Sequence, residues 1–297
     1  MKKIGSFLGC FLPIIVALLC QVVVSIGFSV VYGAYLGVKM VMLGISDMEA
    51  QQVYLAESMN NPDMILAITA IATLCTLVVG ALWYHGYKPK KDFTWKEVIN
   101  PKLLAAMFGL GLALQLLISM CLNAIYPLLP QSMIDQYGEL METLLDGNAL
   151  LSLLATVILA PLAEELLFRG VTMKMAQKIM PFMVANLLQA VLFGIYHLNL
   201  IQGVYAFVLG IILGFTAEYF HSIWASILLH AFVNGSAELL NLVPESVTET
   251  YIGVVGIAVV GVVLLFAAAK LYPQARTERP EEKIEENKMF SENSFDE

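Results

Sequence analysis

Eight long apolar stretches, broken by only short polar connections, constrain this 297-residue chain more than any other feature. A helix needs about 20 apolar residues to cross a bilayer. The stretches fall at about 4–36, 64–84, 103–125, 149–180, 181–198, 202–220, 223–242 and 251–271. With 59% hydrophobic and 13% charged residues, a single soluble core could not hide that much apolar surface. The expected fold class is therefore all-α: a polytopic membrane protein of about eight transmembrane helices. A secreted disulfide scaffold and a disordered chain are excluded. The net charge of −8 also argues against nucleic acid as a partner. Cys10, Cys20, Cys75 and Cys121 lie far apart in apolar runs and read as small buried hydrophobes. The first stretch is too long for a signal-peptide core and reads as an uncleaved span.

Charge placement gives a direction. If the chain crosses eight times, every Lys and Arg except Lys39 falls on one side, the side that holds both termini. The opposite connections carry Asp47, Glu49, Glu57, Asp63, Asp135, Glu139, Glu142, Asp146, Glu245 and Glu249. Basic loops face the cytosol, so both termini are expected there. The expected organisation is three helices with their loops over 1–148, a core of four helices over 149–242, a last span over 243–273, and a charged, disordered cytosolic tail over 274–297.

Ionisable residues inside spans are costly and mark function by default. Three clusters qualify. Glu164-Glu165-Leu166-Leu167-Phe168-Arg169-Gly170 follows Ala160-Pro161. Glu165 and Arg169, four apart on a helix, are spaced for an ion pair, while Glu164 points about 100° away and is left for another task. The second cluster is Phe193-Gly194-Ile195-Tyr196-His197, and the third is Ser226 with His230 and Asn234. Each has a plain alternative: charges at a helix end, a packed histidine, or polar contacts that join helices.

Depth favours a shared site. A turn at Met180-Pro181 puts Glu164 and His197 equally far from it, roughly 25 Å at about 1.5 Å per residue. His230 lies roughly 13 Å beyond a second turn at His221 by the same arithmetic. A carboxylate, two imidazoles and a carboxamide at one level suit hydrolysis. Glu164 can take a proton from water with His197, and His230 and Asn234 can donate to a carbonyl oxygen as it becomes negative. No serine or cysteine has a base beside it. Glu164, His197 and His230 could instead hold zinc with an open fourth position, although no His-Glu-x-x-His is present.

These residues resemble the CAAX-protease and bacteriocin-processing family (CPBP, or ABI) of intramembrane endopeptidases. The resemblance rests on Glu-Glu-x-x-Phe-Arg-Gly at 164–170, Leu-Phe-Gly-x-x-His-Leu at 192–198 and Ser-x-x-x-His-x-x-x-Asn at 226–234. It covers about 149–242, and no motif position departs from the pattern. It implies an eight-helix core with a cavity open to the cytosol. It assigns Glu164 and His197 to water activation, His230 and Asn234 to the oxyanion, and Glu165 and Arg169 to support, with no metal or other cofactor required. Eukaryotic relatives remove the last three residues of prenylated CAAX proteins; bacterial ones are linked to peptide maturation, bacteriocin immunity and pheromone systems. The expected partners are the lipid bilayer and a membrane-associated peptide or prenylated protein, in a bacterial plasma membrane. A non-catalytic immunity or regulatory protein that binds a peptide or sensor partner is the alternative. A proton-coupled transporter is a third reading, weakened by the lack of two related halves.

Overall fold

The structure, a computed structural model, describes residues 2–87, 92–240, 242–244 and 250–276. Lys88, Lys90, Lys91, Glu245, Glu249 and the tail beyond Arg276, expected to be disordered, lie outside them. The described residues form helices and no strands: α1 (Lys2–Gly9), α2 (Leu12–Met42), α3 (Met48–Met59), α4 (Pro62–Tyr87), α5 (Trp95–Val98), α6 (Pro101–Ile125), α7 (Gln131–Leu145), α8 (Ala149–Gln177), α9 (Phe182–Tyr196), α10 (Leu200–Tyr219), α11 (Ile223–Leu240) and α12 (Tyr251–Gln274).

Among these, seven are long and apolar enough to cross a membrane, and the chain is an integral membrane protein. The helix expected over 181–198 is the exception. It forms as α9, but with 15 residues it is short of a full crossing. Pro181 starts it and His197 ends it, because the backbone turns into the left-handed region at Leu198 (φ 53°). The first span is longer than its sequence pattern suggests, running to Met42.

Helix starts follow local chemistry. Asn100 accepts from Leu103 N–H at 2.9 Å, with Pro101 supplying the first-turn residue that needs no donor. Asn199 does the same for Gln202 N–H at 3.0 Å and opens α10 two residues after His197. Asn148 caps α8 through Leu151 N–H at 3.1 Å, and its own N–H is held by Asp63.

In hydrocarbon, helices are drawn together largely by close backbone approach, which small residues permit, and by polar contacts between them. α9 and α10 form an antiparallel hairpin on that basis. A side chain at Gly194 would lie 2.6 Å from the Gly203 carbonyl oxygen, and one at Gly203 would lie 2.8 Å from that of Gly194. The hairpin packs beside α8, while α6 packs against α11 and α12, and α2 against α4.

Five polar contacts gather at one end of the bundle. Phe93 N–H donates to His221 O at 3.0 Å, and the Ser222 hydroxyl donates to Phe93 O at 2.8 Å. Lys174 pairs with Asp92 at 3.5 Å, Gln177 reaches Glu218 at 3.0 Å, and Asn100 donates to Ala275 O at 3.2 Å. α1 packs on the same end, against residues 174–177. α3, α7 and the Asp63–Asn148 contact lie at the other.

The cysteines correct one expectation. Cys10 is buried and Cys20 partly so, but Cys75 and Cys121 are exposed. An apolar residue on a spanning helix can face lipid as readily as the interior, so apolar surroundings in sequence do not mark burial.

Reporter fusions after Asp92 and near Gln136 are expected to give opposite sidedness signals; matching signals would refute the crossing pattern. Gly194→Ala is expected to cost about 1–3 kcal/mol, read as a lower unfolding midpoint in detergent, because the hairpin backbones must separate.

Candidate active site

The site begins with a gap in a backbone ladder. α8 is not uniformly α-helical: Leu153–Leu159 and Leu166–Met173 are wide π-type turns on either side of Ala160–Glu165. Turns of this kind are rare and concentrate at functional sites. Ala160 N–H bonds back to Ala155 O, five residues earlier. The next bond in that register would run from residue 161 to Thr156 O, but Pro161 has no N–H. Asn234 fills the vacancy: its side-chain amide donates to Thr156 O at 2.8 Å.

Beyond that point the carboxylates emerge on different faces, as the sequence predicts. Glu165 is fully buried and its Oε1 carries two partners: Arg169 Nη1 at 2.7 Å and His230 Nδ1 at 3.0 Å. Glu164 remains slightly accessible, with Oε2 3.7 Å from His230 Nε2. His230 thus stands between the two glutamates. A carboxylate only accepts, so Nδ1 of His230 carries a proton toward Glu165.

Arg169, also fully buried, is the hub behind the pair. Its Nη2 donates to Gly210 O at 3.1 Å, and its guanidinium lies 4.5 Å from the centre of the Phe193 ring. Gln189 donates to the same carbonyl at 2.9 Å and to Asn186 Oδ1 at 2.7 Å, and Asn186 donates to Ile211 O at 3.1 Å. Neither amide belongs to the three motifs, although a buried amide in an apolar run is itself a signal. Gly210-xxx-Gly214 is the matching one on α10, since a side chain at Gly214 would overlap Asn186.

His197 sits at the end of α9. Its Nδ1 lies 2.8 Å from Phe193 O. That oxygen only accepts, so the proton is on Nδ1 and Nε2 presents a lone pair when the ring is neutral. Phe193 holds both imidazoles edge-on, with ring centres 4.9 Å from His197 and 5.7 Å from His230. His197 is within electrostatic reach of Glu164, His230 and Arg169.

The three sequence clusters therefore converge. Glu164, Glu165, Arg169, His197 and His230 share one locality; Asn234 lies one turn along α11 from His230, with one amide hydrogen already committed to Thr156. Ser226 stays outside, donating to Ile223 O of its own helix at 2.9 Å. Among the described residues, no group of three or more His, Cys, Asp or Glu is arranged to hold a metal ion. The arrangement instead offers one partly accessible carboxylate, one imidazole lone pair, and donors on α11.

Residues 146–236 match the family model described as Type II CAAX prenyl endopeptidase Rce1-like, a CPBP-family description. The matched segment runs from the cap of α8 into α11, covers less than a third of the chain and includes all three motifs. No curated protein and no solved structure matches the chain.

Removing one partner of a buried ion pair strands the other charge. Arg169→Ala is expected to destabilise the protein by about 3–5 kcal/mol, and Arg169→Met combined with Glu165→Leu to recover part of that loss. Thermal unfolding in detergent measures both; unchanged stability in Arg169→Ala would contradict the paired geometry.

Proposed function

From a CAAX-type intramembrane protease core set in a bundle of membrane-length helices, we propose an endopeptidase that uses Glu164 and His197 to activate water. Its substrate is a membrane-associated peptide or a prenylated-protein-like chain, presented within or beside the bilayer. The end of the bundle that gathers residues 92–101, 174–178, 218–222 and 276 is cytosolic, on the strength of the basic bias.

The observation that carries this reading is the division of labour between adjacent glutamates. One oxygen of buried Glu165 takes both Arg169 and His230, whereas Glu164 keeps a partly accessible carboxylate 3.7 Å from His230 and within electrostatic reach of His197. A base must be reachable by water, and Glu164 is partly accessible whereas Glu165 is fully buried. His197 Nε2 is a second acceptor for the same water. As water attacks the carbonyl carbon, its proton passes to Glu164 and negative charge grows on the carbonyl oxygen.

Two donors suit that oxygen. Asn234 has a second amide hydrogen beyond the one given to Thr156. His230 can donate from Nε2 when its ring is protonated, and in that form two carboxylates face two cations, Arg169 and His230. Such a cluster carries no net charge, which limits its cost in an apolar bundle. The amine product leaves with the proton held by Glu164.

A zinc-dependent route would recruit Glu164 and the Nε2 atoms of His197 and His230. These residues are not gathered as a ligand set, so no step is assigned to a metal.

Glu164→Gln keeps shape and removes the base. Turnover of a prenylated reporter peptide is expected to fall about 10²–10⁴-fold with the folded yield unchanged. Metal analysis of active protein is expected to find no stoichiometric zinc, and chelation to leave activity intact. About one zinc per chain, with activity lost on chelation and restored by zinc, would overturn the mechanism while leaving the protease assignment standing.

A further inference from the structure

The motifs leave Tyr196 unexplained. It occupies a free position of the second motif, directly before His197, yet the residue is only 8% exposed and its ring packs edge-on against Phe168 at 5.5 Å and His197 at 6.0 Å. A buried phenol in an apolar bundle needs a partner for its hydroxyl. That partner comes from far away in sequence: Gln21 Nε2, on α2, donates to Tyr196 Oη at 2.9 Å. Gln21 is a polar residue in the longest apolar helix, 125 positions before the matched segment begins.

Donor and acceptor counting gives this contact its meaning. The Gln21 amide takes an acceptor site on the phenol oxygen and leaves the phenolic O–H available to donate. Among the described residues that hydrogen meets no acceptor, and Glu164 lies within electrostatic reach of the ring. Water poised for attack has two hydrogens and two lone pairs. One hydrogen goes to Glu164 and the other to His197 Nε2. One lone pair must face the carbonyl carbon, and the remaining one needs a donor if the molecule is to be held in a single orientation.

We propose that Tyr196 is a catalytic residue whose hydroxyl donates to the attacking water, and that Gln21 is the positioning residue that aims it. This deepens the water-activation reading and rests on it. It also brings α2 into the site, so the catalytic core is incomplete within residues 146–236. The donor acts on orientation: it leaves substrate affinity alone and raises the fraction of bound complexes in which the lone pair points at the carbon.

The test uses the full chain in proteoliposomes and a farnesylated peptide with a C-terminal CAAX sequence. Tyr196→Phe removes one oxygen atom and is expected to lower kcat about tenfold to hundredfold with KM unchanged. Gln21→Leu is expected to lower kcat in the same direction, and adding it to Tyr196→Phe to cost nothing further, because both act through one hydrogen bond. A kcat at the wild-type level in Tyr196→Phe, or a rise in KM alone, overturns the proposal. So do additive losses in the double variant. If Tyr196→Phe loses folded yield, Gln21→Leu carries the same test with the phenol in place, and an unchanged kcat there overturns it. Glu164→Gln, run alongside, separates the two readings. Cleavage by wild type that Glu164→Gln abolishes and Tyr196→Phe leaves intact defeats this inference alone. Absent cleavage by wild type, or full cleavage by Glu164→Gln, defeats both.

Discussion

A carboxylate placed among apolar helices must find positive or hydrogen-bonding partners, and much of this bundle is arranged around meeting that demand for Glu165. One oxygen of Glu165 takes both Arg169 and His230. Arg169 then needs its own acceptors, which draws Gly210 O toward it and requires α10 to be glycine-lined where α8 and α9 approach. Gln189 and Asn186 fill the rest of that interface with amide contacts. The pairing therefore fixes more than one side chain. It sets the separation of α8, α10 and α11, and it leaves Glu164, one residue earlier and about 100° round the helix, partly accessible and with only a longer, 3.7 Å approach to His230 Nε2.

A second demand comes from the backbone. Every carbonyl at membrane depth has to be satisfied inside the protein. Pro161 withdraws a donor from the ladder of α8, and the helix answers with a wide turn and a borrowed amide from Asn234. The same amide sits one turn from His230, so repair of the helix falls to a residue of the candidate site. This gives Asn234 a structural bond beside any contact it makes with substrate, and it explains why an irregular helix is tolerated where regularity is otherwise enforced.

Much of this was legible in the residues. Long apolar runs show spanning helices because hydrocarbon leaves the backbone little choice. The i, i+4 spacing of Glu165 and Arg169 shows an ion pair because both lie on one turn-to-turn face. The Met180-Pro181 turn follows from proline at a helix start, and Glu164 and His197, equally far from it in sequence, come within electrostatic reach of each other. The matched family description over residues 146–236 agrees with the three motifs read in order.

What the sequence determined by itself is thus local or one-dimensional: helix content, where the apolar spans fall, and which face of a helix a residue occupies. Only the tertiary structure decided which faces meet. It ended α9 at His197 through a left-handed Leu198, made Glu165 rather than Glu164 the partner of His230 Nδ1, and joined Gln21 to Tyr196 across 175 positions. It also turned Cys75 and Cys121 outward. The reason is physical. In a membrane an apolar side chain is equally content against lipid or protein, so hydropathy carries no sign of inside or outside. Rotation and pairing of helices are set by close backbone approach and by scattered polar contacts, and those exist only once distant segments are brought together.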